Sequence, residues 1–155
     1  MNILFICTGN TCRSPLAEAL MRRELEEREE VPITVGSAGT GALDGTPASE
    51  GSYLVGLENG LDLSSHRARQ LTRDMVDQTD LVLAMGRNHQ LRVEALGGEG
   101  KTFLLGTYAG ADDEEAEVAD PFGADLEEYR TTYRELAQLV SLALQRIIKE
   151  CRGNE

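Results

Sequence analysis

The chain lacks any apolar run approaching the roughly 18–20 residues needed to cross a bilayer as a helix, so it does not read as a membrane protein. Basic residues are few. Lys plus Arg number 15 against 27 Asp plus Glu, a formal net charge of −12. A broad grip on nucleic acid or on an anionic membrane surface needs basic surface, so both partners are disfavoured. The start, Met1-Asn2-Ile3-Leu4-Phe5-Ile6, carries neither a basic leader nor a small-residue cleavage site and does not read as a signal peptide. Cysteine is scarce: Cys7, Cys12 and Cys151 are an odd number without a paired framework, which points to a reducing compartment and a cytoplasmic protein. Repeats, low-complexity tracts and linkers are also missing. The 155 residues suit one domain, and 41% hydrophobic content suffices for its core.

What is present alternates between short apolar runs and helical spacings. Asn2–Ile6 is too short for a helix and suits a buried strand. Ser14-Pro15 reads as a helix opening, a hydroxyl N-cap followed by proline in the first turn, with Leu16, Ala19, Leu20 and Leu25 at helical spacing and the polar Glu26–Glu30 stretch as its end. Ile33, Val35 and Ala38 predict a second strand leading into the Gly39–Gly45 loop. Thr46-Pro47 predicts another helix, with Leu54, Val55 and Leu57 on its buried side and Asn59-Gly60 as a stop. Thr72 predicts the cap of a short helix, Asp80–Met85 a third strand, Arg87–Leu96 a helix and Lys101–Leu105 a fourth strand. The acidic Ala109–Asp120 stretch reads as a solvated loop. From Asp125 to about Lys149, Tyr129, Tyr133, Leu136, Val140, Leu144 and Ile147 recur at three or four residues, a long helix. Strands alternating with helices imply crossover connections and a parallel sheet. The fold class is α/β: a single three-layer α/β/α domain with a four-stranded parallel sheet and helices on both faces. Ligands in such folds gather at the carboxyl ends of the strands.

The first strand-to-helix turn is Cys7-Thr8-Gly9-Asn10-Thr11-Cys12-Arg13-Ser14. Backbone N–H groups at such a turn lack intrahelical partners, so residues Thr8, Gly9, Asn10, Thr11, Cys12 and Arg13 form a candidate nest for a tetrahedral oxyanion. Arg13 supplies a planar fork that matches two phosphate oxygens. Cys7 lies at the base of the nest, where the field that holds phosphate also favours an anionic sulfur, a nucleophile placed for in-line attack. The bland reading is a structural turn around a buried cysteine; the strand, glycine-containing loop and Ser-Pro opening argue against it. Cleavage also needs a proton for the leaving group. Asp120, restrained by Pro121, is the candidate acid, with Phe122 as an apolar wall. From spacing alone Asp125, Asp112, Asp113, Glu114, Glu115 and Glu117 compete for that role, since Asp-Pro is also an ordinary turn signal.

These residues resemble the low-molecular-weight protein tyrosine phosphatase family over nearly the whole chain. The resemblance is carried by Cys7–Ser14, Ser37-Ala38-Gly39, Ser65-His66-Arg67-Ala68-Arg69-Gln70 and Asp120-Pro121, in that order. It implies a metal-independent phosphatase without a cofactor, with Cys7 as nucleophile, Arg13 as phosphate ligand and Asp120 as general acid, passing through a phosphocysteine. It also implies that Asn10, Ser14, Ser37 and His66 form a hydrogen-bond network supporting the loop. Taken singly, His66 reads as an ordinary loop or core histidine, and His89, on a predicted helix, as structural.

Within the family, Thr11 together with Asp120-Pro121-Phe122-Gly123 looks like the bacterial protein arginine phosphatases, whereas many tyrosine-directed members carry a larger aliphatic residue in place of Thr11 and two aromatics after Asp-Pro. Phosphoarginine on protein substrates is therefore favoured, with phosphotyrosine as the alternative under the same mechanism. Thr11 could equally just stiffen the loop, and the Asp112–Glu117 run could be solvated surface. Cys12 is either a packed residue or the partner of Cys7 in a reversible disulfide. An arsenate reductase would need relay cysteines that the stretch between Cys12 and Cys151 lacks, and a cysteine phosphoryl carrier is disfavoured by Arg13 and Asp120. A noncatalytic phosphate-binding module is the remaining competitor. A monomer is favoured.

Overall fold

In the computed structural model, which describes residues 1–28 and 32–153, four strands form one parallel sheet in the order β2-β1-β3-β4. They are β1 Asn2–Cys7, β2 Thr34–Gly39, β3 Leu81–Ala84 and β4 Thr102–Leu104. Central β1 runs beside β2 from Asn2↔Thr34 to Cys7↔Gly39 and beside β3 from Ile3↔Leu81 to Ile6↔Ala84. The helices are α1 Arg13–Glu26, α2 Glu50–Glu58, α3 Arg73–Asp77, α4 Arg87–Val93, α5 Leu105–Tyr108 and α6 Leu126–Gly153.

Strand alternation sorts the core into two layers. Ile3, Phe5 and Cys7 of β1 join Leu16, Leu20, Leu136, Val140, Leu144 and Ile147 of α1 and α6 on one face. Leu4 and Ile6 join Leu71, Val76, Val82 and Val93 on the other. The three-layer α/β/α arrangement follows from that alternation. On α6 the stripe Tyr129, Tyr133, Leu136, Val140, Leu144 and Ile147 is buried throughout. Burying a side chain of this size contributes about 1.5–3 kcal/mol, so packing of that face stabilises α6 more than propensity does. The chain leaves β1 to place β2 on one side and later β3 on the other. Such a switch point opens a crevice at the carboxyl ends of the strands, and the loop after Cys7 begins there.

Several local expectations need correction. Ser14 is not the cap of α1: Cys12 occupies that position without a side-chain cap bond, and Ser14 lies inside the helix with its hydroxyl turned to Cys7. Thr46-Pro47 opens no helix. Pro47 bridges to Arg67, and Ser49 caps α2 by accepting from the Ser52 N–H. On α2 Val55 is buried while Leu54 and Leu57 are exposed, because the covered side also uses Ser52 and Gly56. The helix expected over Arg87–Leu96 is α4 followed by a wide turn over Glu94–Gly98, broken where Gly97 takes φ 100°. The acidic loop is not wholly solvated: Ala116 and Val118 are buried within it, and α5 precedes it. Of the stretch expected to end α1, Glu29 and Glu30 lie outside the described residues; α1 itself ends at Glu26. Thr72 does cap α3, accepting from the Met75 N–H. Among the described residues no helix is long and apolar enough to cross a membrane.

Candidate active site

The loop between β1 and α1 is wound around Asn10. Asn10 has φ 56°, the one non-glycine positive φ among the described residues. That conformation costs an L-residue roughly 1–2 kcal/mol, and asparagine tolerates it better than most. The side chain offsets the cost with hydrogen bonds. Asn10 Nδ2 donates to Ser14 Oγ at 2.8 Å and to Ser37 Oγ at 2.9 Å, and Oδ1 accepts from the Arg69 N–H at 2.9 Å. Ser37 in turn donates to Glu18 Oε1 at 2.6 Å, and His66 Nε2 lies 2.7 Å from the Asn10 carbonyl oxygen. Asn10, Ser14 and Ser37 are buried. The structure thus brings the four expected support residues together behind the loop. An Asn10→Ala variant strands these partners, at about 1–3 kcal/mol for each buried group left unpaired. We expect it to lose about 3 kcal/mol or more of stability, read as a lower denaturant midpoint.

Close approach of β2 completes the support. A Cβ on Gly39 would sit 2.4 Å from the Thr8 carbonyl oxygen, so only glycine lets the strand end pass there. The Thr40 and Gly41 N–H groups donate to the carbonyl oxygens of Cys7 and Thr8 at 3.0 and 2.9 Å. Cys7 is 2% exposed, and its Sγ lies 2.8 Å from Ser14 Oγ. When the sulfur is anionic, that hydroxyl must be the donor.

Arg13, 6% exposed, donates from one terminal nitrogen to the Val118 carbonyl oxygen at 2.9 Å. Its other terminal nitrogen is 3.6 Å from Asp120 Oδ2. Arg13 Nε is buried with no partner in the protein. A buried N–H left unpaired costs free energy unless something accepts from it. Nε and the nitrogen facing Asp120 form one edge of the guanidinium, the edge that grips two oxygens of a phosphate.

Asp120 reaches this edge from the strap between α5 and α6. Its side chain is 48% exposed, and Oδ1 accepts from the Phe122 N–H at 3.0 Å, a turn that fixes the carboxyl beside Pro121. The strap is pinned near Asp120: the Val118 N–H donates to the Met85 carbonyl oxygen at 2.8 Å, and Glu117 Oε1 accepts from the Arg87 N–H at 2.6 Å. Of the carboxylates that compete from spacing alone, Glu117 is committed to α4, and Asp125 accepts from the Glu128 N–H at the start of α6. Asp120 is the one that meets Arg13.

The remaining expected residues line the rim. Thr11 is half-buried, with Oγ1 3.8 Å from Cys12 Sγ, and its carbonyl oxygen accepts from the Ser49 N–H. Cys12 is a free, buried thiol that donates to Ser49 Oγ at 3.2 Å and lies 3.6 Å from the Tyr129 hydroxyl. Burial, followed by the Cys12 contact, pushes the Tyr129 hydroxyl pKa up. Phe122 is 73% exposed. A cavity of about 750 Å³ is lined by Glu18, Ser37, His66 and Arg69 of the support network and includes none of residues 7–13.

His89 lies on α4 as expected, 2% exposed, with Nε2 2.7 Å from Thr8 Oγ1, a contact that sequence reasoning missed. Burial first, then the Arg13 charge, lowers its pKa to about 4 against the raising effects of Asp120 and Glu117. A Thr8–His89 pair is 81 residues apart in sequence; the signal available was that β3, expected over Asp80–Met85, ends beside β1 and so starts α4 next to the loop.

Cys7, buried, opens the loop that Arg13 closes, and Arg13 meets Asp120, a set of groups that can take up a phosphoryl group. The family described as low molecular weight phosphotyrosine protein phosphatase matches residues 2–152. A protein-arginine-phosphatase of Geobacillus stearothermophilus is 38% identical over 150 residues, 96% of this chain and 97% of that protein. The low molecular weight protein-tyrosine-phosphatase Wzb of Escherichia coli K12 is 38% identical over 134 residues, 85% of each chain. Among solved structures, a cysteine-to-serine mutant of the YwlE arginine phosphatase with a phosphorylated active-site serine superposes with a TM-score of 0.87 at 34% identity, covering 98% of this chain and 99% of that one. Fold, site geometry and near-complete coverage lead to one assignment: this chain belongs to the low molecular weight phosphotyrosine protein phosphatase family and is a cysteine-dependent protein phosphatase.

Proposed function

We propose that the protein hydrolyses phosphoarginine on protein substrates, with Cys7, Arg13 and Asp120 as its reacting residues and no metal or cofactor. The observation that carries the substrate choice is Thr11, a β-branched hydroxyl residue at the half-buried rim of the loop. It stands in a chain whose full-length relatives include enzymes named protein-arginine-phosphatase. The exposed carboxylates of Asp112, Asp113, Glu114 and Glu115 beside the strap also suit a guanidinium leaving group.

The chemistry runs in two steps. Cys7 sulfur attacks phosphorus while the bond to the leaving nitrogen breaks, and Asp120 gives that nitrogen its proton. Arg13 and the amide hydrogens of Thr8 to Arg13 hold the phosphoryl oxygens. Asp120, now a carboxylate, takes a proton from water as the water oxygen attacks phosphorus. The phosphorus–sulfur bond breaks, phosphate leaves, and the Ser14 hydroxyl donates to the restored thiolate at the distance of 2.8 Å. The phosphorylated serine of the YwlE variant is consistent with a covalent first step at the corresponding position.

We take residues 1–155 as one domain working in the cytoplasm as a monomer, away from nucleic acid and membranes. The acidic balance and three free cysteines support that reading. The test is a rate comparison on protein-bound phosphoarginine, phosphotyrosine and phosphoserine with a metal chelator present. Preference for phosphoarginine is expected; preference for phosphotyrosine would establish the alternative, which relatives such as Wzb favour. Thr11→Ile is expected to shift the ratio of kcat/KM toward aryl phosphates by about tenfold, the scale of one pocket contact. An unchanged ratio would remove Thr11 from the specificity argument.

A further inference from the structure

His89 is buried at 2% exposure, yet Nδ1 has no hydrogen-bond partner. Its other nitrogen meets the hydroxyl of the residue directly after Cys7. A Cβ built on Gly86 would lie 3.3 Å from His89 Nδ1, 3.3 Å from Glu117 Oε1 and 2.9 Å from Asn88 Oδ1. The Gly86 side of the ring thus borders Glu117 and Asn88 without a hydrogen bond to Nδ1, and the bond to Thr8 fits either neutral tautomer.

The same corner holds the strap. Glu117 caps the start of α4 through the Arg87 N–H, with its other oxygen 3.6 Å from the Arg87 guanidinium, and the Val118 N–H is bound to Met85. One short helix start thus touches both the loop bearing Cys7 and the strap bearing Asp120. The charged groups acting on the imidazole are Arg13 from α1 and Asp120 and Glu117 from the strap, while Arg87 of α4 pairs with Glu117.

We propose that His89 is a positioning residue that stays a neutral imidazole hydrogen-bonded to Thr8, so that α4, bound at its start to Glu117, holds the Cys7 loop and the Asp120 strap in register. The proposal rests on the assignment of Cys7 and Asp120 above, and its tests separate the two.

The first test is nitrogen NMR of the two histidine side chains in the wild-type protein, with His89→Gln used to assign the signals. A neutral His89 ring unchanged from pH 8 to about 5 is expected. Titration near 6.5, the ordinary histidine value, would overturn the proposal. The second test compares p-nitrophenyl phosphate with phenyl phosphate, whose poorer leaving group depends more on the acid. His89→Leu is expected to lose about tenfold more kcat/KM, which reports the first step, on phenyl phosphate than on p-nitrophenyl phosphate, the scale of a misplaced reacting group. His89→Gln, which keeps an acceptor for Thr8, is expected to recover part of that loss. An equal loss on both substrates from His89→Leu, while Asp120→Asn discriminates between them, would refute the positioning role alone. Equal losses from Asp120→Asn would refute the acid assignment instead.

Discussion

Cys7→Ser is expected to abolish multiple turnover, with kcat falling on the order of 10⁶-fold, the scale reported when an enzyme loses its covalent nucleophile. The variant should still bind phosphate or vanadate nearly as well as wild type. The argument is geometric: Arg13 Nε remains unpartnered, and the nest of amide hydrogens is set by Asn10, Ser37 and Gly39 rather than by the sulfur. A serine oxygen placed beside Ser14 Oγ lacks the low proton affinity of a thiol, so it attacks slowly and leaves from phosphorus more slowly still. Isothermal titration with vanadate and steady-state kinetics together check both halves. Loss of anion binding along with turnover would mean that the sulfur builds the nest, and full activity would refute the nucleophile assignment.

Asp120→Asn carries the second large effect. Asparagine keeps the shape and can still accept from the Phe122 N–H, but it has no proton to give. A general acid contributes typically about 10²–10⁴ in rate, and the full loss should fall on substrates whose leaving group must be protonated. Phosphoarginine and phenyl phosphate should therefore lose kcat/KM, which reports the first step, far more than p-nitrophenyl phosphate does. Stability should change little. The Arg13–Asp120 pair spans 3.6 Å with Asp120 half exposed, and such pairs contribute well under about 1 kcal/mol. Equal losses of kcat/KM on all leaving groups would return Glu117 and Asp125 to contention.

The parts of the fold that could be read in the sequence were those dominated by local patterning. Strand β1, the α6 stripe and the caps at Thr72 and Asn59-Gly60 depend on periodicity or on one residue's chemistry, and each stands where expected. The loop between β1 and α1 was legible for the same reason, since Cys7 to Ser14 are contiguous. Errors arose where a distant contact overrides a local preference. Ser14 is a good capping type, but Cys7 and Asn10 claim its hydroxyl from within the helix. Thr46-Pro47 looks like a helix opening until Arg67, from another segment, pairs with Pro47 in a bridge. Asp120 stood among several carboxylates of equal local merit, and only the tertiary partners separate them: Arg13 for Asp120, the α4 start for Glu117. The contact of His89 with Thr8 was not legible. A histidine on a helix carries no sign of which loop it faces, and its contact with Thr8 exists because parallel strands β1 and β3 end side by side.

The whole account requires that phosphorus be bonded, for a moment, to the Cys7 sulfur. Rapid-quench mixing of the Asp120→Asn protein with p-nitrophenyl phosphate, followed by peptide mass spectrometry, reads this directly. The easily departing nitrophenolate lets the first step proceed, while the missing base slows hydrolysis. One phosphate per protein on Cys7, appearing in a burst with nitrophenolate and decaying at the rate of turnover, is the predicted result. Continued turnover with phosphate on another residue, or on none, would contradict it.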